Sequence, residues 1–495
     1  MRTFKERCAG VLLPVFSLPS PYGIGTFGKE AYRFIDFLQR SGHRYWQMLP
    51  LTLTGYGDSP YQSVSTFAGN PYFIDLDDAF AFLGIERKIA LRHDHDTERV
   101  DYGRLYKERY TVLRRMYALV GERLRGEVDF VAFIRKEEAW LRPFAIFMTL
   151  KNRFLDAPWQ SWGEPYRTYE GACSALTRED KEEEGFWYFT QYLFFHQYGK
   201  LKAYAESHGV EMIGDLPLYV SLDSVDVWSS PSDFLLDEAG MPTEVAGVPP
   251  DNFSEDGQRW GNPLYDWAHM EATGFSFWRR RVSHAMTLFS LVRIDHFIGI
   301  VRYYAIKNEE MTARNGVWRE GPGERLLSLL IENGARLIAE DLGVLTDEVL
   351  HVRDKFFLPG MNVLAFAFEG DETNRFLPCH YVQNSVVYGG THDNETLLGY
   401  FERIGSGVRE FAGRYLGAPA YSPRALAEAV ITAGYASVSD CVIMSMQDLL
   451  SEGNYARSNT PSTREGNWRY RLPRNWEERV SAEHLRSLCK IYDRK

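Results

Sequence analysis

Leu291-Val292-Arg293-Ile294-Asp295-His296-Phe297 is the stretch that decides how the chain is read. Apolar Val292 and Ile294 alternate with charged Arg293 and Asp295, the period of a β-strand with charge on one face. No turn residue interrupts the run, and Asp295 stands near its end between Arg293 and His296. A surface strand facing water would alternate in the same way. A β/α barrel, however, puts polar groups of this kind at the C-terminal ends of its strands, where its sites lie.

The same design recurs along the chain. Apolar runs occur at Gly10–Val15, Tyr45–Leu51, Val210–Val220, Ala335–Gly343, Met361–Phe368, Ser385–Tyr388 and Cys441–Gln447. Several lead into acids: Asp215, the pair Glu340-Asp341, and Asp393 within Thr391-His392-Asp393-Asn394. Most are separated by helix-periodic stretches such as Lys29–Ser41. Eight strands in a β/α rhythm predict a parallel sheet closed into a (β/α)8 TIM barrel. No GxGxxG follows the first strand and no P-loop is present, which argues against nucleotide binding.

Two stretches break the rhythm. Residues 78–208 are charged, rich in Leu, Arg and Glu, and helix-periodic, so a mostly helical insertion is expected there. The chain then divides into 1–77, with two strands and the polar loop Thr54–Ser63, the insertion 78–208, and the remaining strands in 209–495. Within the last part, 224–267 has no clear period but many aromatic residues, which suits a long lid or groove insertion better than disorder. His93-Asp94-His95-Asp96 has the residue types of a metal site, but a solvated acidic loop is the preferred reading.

Composition narrows the partners. With 495 residues and a net charge of −11, the chain is a poor match for nucleic acid or an anionic membrane. Its 15% aromatic content suits sugar faces, although large cores would also account for it. Five scattered cysteines without CxxC spacing point to a reducing, cytoplasmic setting and away from zinc. Glu6 and Pro14 spoil the N-terminal stretch as a signal peptide, and no apolar run reaches the roughly 18 residues of a membrane span.

Asp295, Glu340 and Asp393 sit at three strand ends that a barrel would bring onto one rim. Cleavage of a glycosidic bond needs one carboxyl to protonate the leaving oxygen and another to act at the sugar carbon. Arg293, on the same strand face as Asp295, would keep that carboxylate ionised. Glu340 would need the opposite, a raised pKa from a partly buried setting. Other readings stay open at this level. His392 and Asn394 with Glu340 and Asp341 could hold a metal, and any single strand-end carboxylate could cap the next helix.

Arg293-Ile-Asp295-His296-Phe-x-Gly299, Ala339-Glu340-Asp341-Leu-Gly343 and Thr391-His392-Asp393-Asn394 resemble the signatures of the α-amylase superfamily. Further motifs narrow the resemblance to the 4-α-glucanotransferases of glycoside hydrolase family 77. They are Gly57-Asp-Ser-Pro-Tyr61-Gln, Phe67-Ala-Gly-Asn-Pro71, Gly214-Asp215-Leu-Pro-x-Tyr219, Gly247-Val-Pro-Pro-Asp251, Trp260-Gly-Asn-Pro-Leu-Tyr265, Asn459-Thr-Pro461 and Gly466-Asn-Trp468. The likeness runs from about Leu12 to Arg471. It implies a retaining transfer of α-1,4-glucan segments, with glucose as an acceptor and no metal or cofactor. By the same resemblance Asp295 would be the nucleophile, Glu340 the acid/base and Asp393 the transition-state carboxylate. Arg293, His392, Tyr61 and Asp215 would surround the sugar, Trp260 would belong to a lid over the acceptor, and His296, Asp341 and Asn394 would join the substrate-binding set. Ile298, Val225 and Ser458 depart from the family pattern, which leaves groove contacts near Ile298 open. A hydrolase of the same glucans and a non-catalytic glucan-binding barrel are the alternatives.

Overall fold

The computed structural model describes residues 3–86, 98–250, 254–463 and 465–495. His93, His95 and Asp251 lie outside the described residues. In chain order the strands begin with β1 (Cys8–Leu12), β2 (Tyr45–Gln47), β3 (Glu211–Pro217), β4 (Glu244–Val248), β5 (Gln258–Pro263) and β6 (Leu291–Asp295). They continue with β7 (Arg302–Lys307), β8 (Val317–Glu320), β9 (Leu337–Ala339), β10 (Gly360–Val363), β11 (Ser385–Tyr388) and β12 (Cys441–Ser445).

Eight of these strands form one parallel sheet in the order β10-β11-β12-β1-β2-β3-β6-β9. The first strand pairs with the last, Cys8 opposite Cys441 and Leu12 opposite Ser445. Strands such as Ser385-Val-Val-Tyr388 and Cys441-Val-Ile-Met-Ser445 are buried along their whole length, as expected where helices cover one face and the barrel interior the other. At the remaining seam Ala339 N donates to Pro359 O at 3.0 Å. Beside it Asp341 Oδ1 accepts from Met361 N at 2.8 Å, so a side chain supplies a rung where strand pairing ends. The sheet is the closed (β/α)8 barrel that the eight sequence repeats predict.

Between β2 and β3 the described residues form loops and helices, with isolated β-bridges but no strand of the sheets. The long helices there are Tyr102–Leu124, Val128–Arg153 and Arg178–Ser207, preceded by Leu76–Leu83. Thr177 and Asp180 form a reciprocal capping box that starts Arg178–Ser207. Two buried glutamines of that helix clamp the chain after β2. Gln191 exchanges hydrogen bonds with the backbone of Gly69 at 2.8 and 2.9 Å, and Gln197 does so with Asp75 at 2.7 and 2.9 Å. The amide side chain offers a donor and an acceptor at strand-like spacing, so it satisfies both groups of a loop residue.

The stretch 224–267 holds more order than a continuous loop. Its strands β4 and β5 join β7 and β8 in a four-stranded antiparallel sheet of order β5-β4-β7-β8. Half of that sheet comes from residues after β6, which the sequence reading left without strands. These strands are four to six residues long, and their pairing is non-local, so no single window carries a period-2 signal.

The seam rung has a measurable weight. Arg353 Nη1 donates to Asp341 Oδ2 at 2.6 Å, and the Asp341 side chain is 3% exposed. Asp341→Ala leaves Met361 N and part of Arg353 unsatisfied, so a stability loss of about 3 kcal/mol is expected in thermal or urea denaturation. Asp341→Asn, which keeps an acceptor for Met361 N, should lose less. Equal stability of wild type and Asp341→Ala would rule out the seam role.

Candidate active site

Asp215 on β3 and Arg293 on β6 are register partners, so both side chains leave the same face of the barrel wall. Arg293 Nη1 donates to both Asp215 oxygens at 2.6 Å, and Nη2 donates to Asp295 Oδ1 at 2.9 Å. Arg293 and Asp215 are 5% and 0% exposed, whereas Asp295 is 31% exposed and open to a ligand. Burial opposes the charge on Arg293, but Asp215 and Asp295 outweigh it and push its pKa up. Asp215 is pushed up by burial against the pull of Arg293.

The loop after β2 brings Tyr61 onto this pair. Its hydroxyl donates to Asp215 Oδ2 at 2.8 Å, and its ring stacks on His392 at 5.0 Å and 18°. Burial pushes the phenol well above its ordinary value, so Tyr61 remains a donor. His392 Nε2 lies 3.3 Å from Asp393 Oδ2. Asp393 is 43% exposed, and its other oxygen accepts from Asn459 Nδ2 at 2.6 Å. The Arg457 guanidinium bonds the Asp393 carbonyl. Trp468 closes this side, its ring 5.8 Å from both Tyr61 and His392.

Glu340 follows β9 and is tied to the neighbouring strand by its own backbone. Glu340 N donates to Ile294 O at 3.1 Å, and Phe297 N donates to Glu340 O at 3.0 Å. Its carboxyl accepts from His296 N at 2.7 Å and from Leu342 N at 2.9 Å. His296 has a left-handed backbone with φ 55°, uncommon for a residue with a side chain. Burial pushes Glu340 up to about 8; Arg293 pulls against it, and Asp295 adds to the rise. A neutral carboxylic acid at neutral pH is the result.

The His296 ring packs against Trp260, edge to face at 4.8 Å and 88°. Burial pushes its imidazole down to about 4, so it is neutral, and Nε2 has no hydrogen-bond partner among the described residues. Trp260 sits on β5, which places the antiparallel sheet over this side of the barrel.

The fold thus brings Asp295, Glu340, Arg293, Asp215, Tyr61, His296 and Trp260 into one contact network. His392 and Asp393 join it through Tyr61. Asp341 needs correction as a substrate-binding residue. Successive residues at a strand end point to opposite sides, and its two oxygens are committed to Met361 N and Arg353. Asn394 uses its carbonyl oxygen inside its own turn, accepting from Thr391 N at 2.8 Å and Thr391 Oγ1 at 2.9 Å. Reasoning from residues did not assign Asn459, Arg457 or Trp468. The motifs Asn459-Thr-Pro461 and Gly466-Asn-Trp468 were the available signal for two of them. Among the described residues, no group of three His, Cys, Asp or Glu is arranged to hold a metal ion.

Comparisons with known proteins agree on one family. A family model described as 4-alpha-glucanotransferase matches residues 13–476. The 4-alpha-glucanotransferase of Thermus thermophilus is 45% identical over 507 residues, covering 99% of each chain. That of Clostridium butyricum is 41% identical over 492 residues, 97% of this chain and 99% of the relative. The solved structure of an amylomaltase from Streptococcus agalactiae in complex with acarbose aligns with a TM-score of 0.94 at 36% identity, covering 99% of this chain and 100% of that one.

The raised pKa of Glu340 makes stability depend on pH. Between its ordinary value of 4.5 and about 8, the unfolded chain has lost a proton that the folded chain retains. Stability therefore falls as pH rises across this window, by a few kcal/mol at most for this group. Glu340→Gln removes the titration. Its Tm relative to wild type should shift in the variant's favour from pH 5 to pH 8.5, read by differential scanning calorimetry. A difference that stays constant across that range would mean Glu340 titrates normally when folded.

Proposed function

Because the chain belongs to the 4-alpha-glucanotransferases of glycoside hydrolase family 77, we propose that it moves α-1,4-glucan segments between maltooligosaccharides, or to glucose, through a covalent glycosyl-enzyme. One observation carries the chemical part of this reading. A partly open Asp295 bonded by Arg293 lies beside a buried Glu340 that keeps its proton. This is the pair of unlike carboxyls that double displacement at a sugar carbon requires.

In the first step an Asp295 oxygen attacks C1 of the donor sugar. The bond from C1 to the leaving glycosidic oxygen breaks, and Glu340 gives that oxygen its proton. Ester formation removes the negative charge of Asp295, one of the causes that raise Glu340. Glu340 then ionises more readily and becomes the better base. In the second step it takes the proton of an acceptor hydroxyl, whose oxygen attacks C1 and releases Asp295. Asp393, oriented by Asn459, and His392 are placed to hold the sugar while positive charge develops on the ring. Asp215 and Tyr61 fix Arg293 and His392 rather than reacting. The five free cysteines fit the reducing cytoplasm as the setting.

Purified protein incubated with maltotriose tests the reading. A ladder of longer oligomers plus glucose is expected. Glucose and maltose without a ladder would mean hydrolysis, and an unchanged substrate would mean binding alone. Transfer should also decline as pH rises through about 8, where Glu340 loses the proton it donates. Glu340→Gln should slow transfer by about 10²–10⁴-fold.

Trp260 supports an acceptor role for the antiparallel sheet. An acceptor sugar competes with water by being held in place, through a high effective molarity. The Trp260 indole, packed on His296 and bonded through Nε1 to Gln258 Oε1 at 3.1 Å, is a fixed face on which a glucose unit can stack. Trp260→Ala is therefore expected to reduce transfer more than hydrolysis, so that glucose released in excess of the ladder rises as a fraction of turnover. An equal decline of both reactions would show that Trp260 shapes the site generally.

A further inference from the structure

Outside the barrel, the helices Val128–Arg153, Arg178–Ser207 and Ser276–Leu288 border a groove of about 320 Å³ that the proposed reaction does not use. Rings form much of its lining. The ring of Phe133 lies 5.6 Å from that of Tyr192 and 5.9 Å from that of Phe195. His196 lines the same space and stacks on Phe82 at 3.8 Å. Phe82 is 39% exposed, and Phe133, Phe195 and His196 are half-buried. Rings lining an open groove suit a ligand with apolar faces.

Charge in the groove is already matched. Lys136 Nζ lies 3.1 Å from Glu137, and Lys202 Nζ donates to Thr287 O at 2.8 Å with Glu206 at 3.8 Å. An anion would find no unpaired cation cluster here among the described residues. Burial, aided by Lys200, pushes the His196 imidazole down, so that ring is neutral at ordinary pH. Its Nε2 is shielded from solvent and has no hydrogen-bond partner among the described residues. The chemistry that fits is a neutral ligand with apolar faces for the rings and hydroxyls for a polar rim. A chain of pyranose units has both.

We propose that this groove is a second binding site for α-1,4-glucan chains, separate from the catalytic cleft. The proposal rests on the glucan substrate argued above. The groove stands against the back of the catalytic wall, because His284 and Leu288 line both it and the inner cavity that reaches Tyr61 and Asp215. A polymer held there stays close to the site that cuts it, which raises the local concentration of chain ends. A maltotriose molecule gains nothing from such an anchor.

Phe133→Ala removes one ring of the lining. Gly199→Met closes the groove from an exposed helical position where an added Cβ meets no atom within 4 Å, so folding is not at stake. Both variants should raise KM for long amylose about five-fold or more and leave maltotriose kinetics unchanged. Both should also lose retardation in native gels containing glycogen, read in an Asp295→Asn background that does not turn over. Unchanged amylose KM and gel mobility in Gly199→Met would overturn the proposal, as would equal effects on amylose and maltotriose. So would an apolar dye that Gly199→Met excludes but maltoheptaose does not displace. Failure of wild type to form a maltotriose ladder would count against the transferase reading alone, since gel retardation does not depend on turnover.

Discussion

The buried ion pair between Arg293 and Asp215 is the interaction on which the site depends. Taking both charges out of water is costly, and such pairs add little net stability over apolar packing. What the pair supplies is direction. One guanidinium nitrogen is committed to Asp215, which leaves the other aimed at Asp295. The same Asp215 accepts from Tyr61, and Tyr61 carries the order on to His392 and Asp393. A rigid core of fixed charges thus sets the positions of two carboxylates that must themselves stay reachable.

Glu340 is governed by the opposite condition. Among the described residues no cation bonds it directly, and its two donors are the backbone N–H groups of His296 and Leu342. Desolvation therefore prevails over the more distant Arg293, and the carboxyl stays neutral. Asp295 is touched by a guanidinium, whereas Glu340 is met by backbone N–H groups alone. The strand pairing that brings β9 beside β6 enforces that difference.

The barrel was legible in the sequence because each of its strands is a short apolar run, and such runs need no partner to be recognised. The three carboxylates stood out as candidates because they lie at or just after the ends of such runs. Asp341, which the resemblance grouped with the substrate-binding residues, has both oxygens committed to Met361 N and Arg353, contacts that no local pattern announces. The pairing of β4 and β5 with β7 and β8 left no local trace. Arg302–Lys307 lies beyond β6, and its partner β4 lies before it, so only the folded chain brings them together. Asn459 stood in a quoted motif, but its contact with Asp393, 66 residues away, left no local trace for the same reason.

The pairing of β1 with β12 also has a consequence for how the protein is made. The two strands are separated by more than 400 residues, so a ribosome adding about 5–20 residues per second leaves the β1 edge without its final neighbour for tens of seconds. During that interval the growing sheet has a free edge of the kind that invites pairing with other chains. The helices between β2 and β3 are made of local contacts and can form early, and Gln191 and Gln197 let them grip the chain that follows β2. On this view the insertion also acts as an internal escort for a half-built barrel.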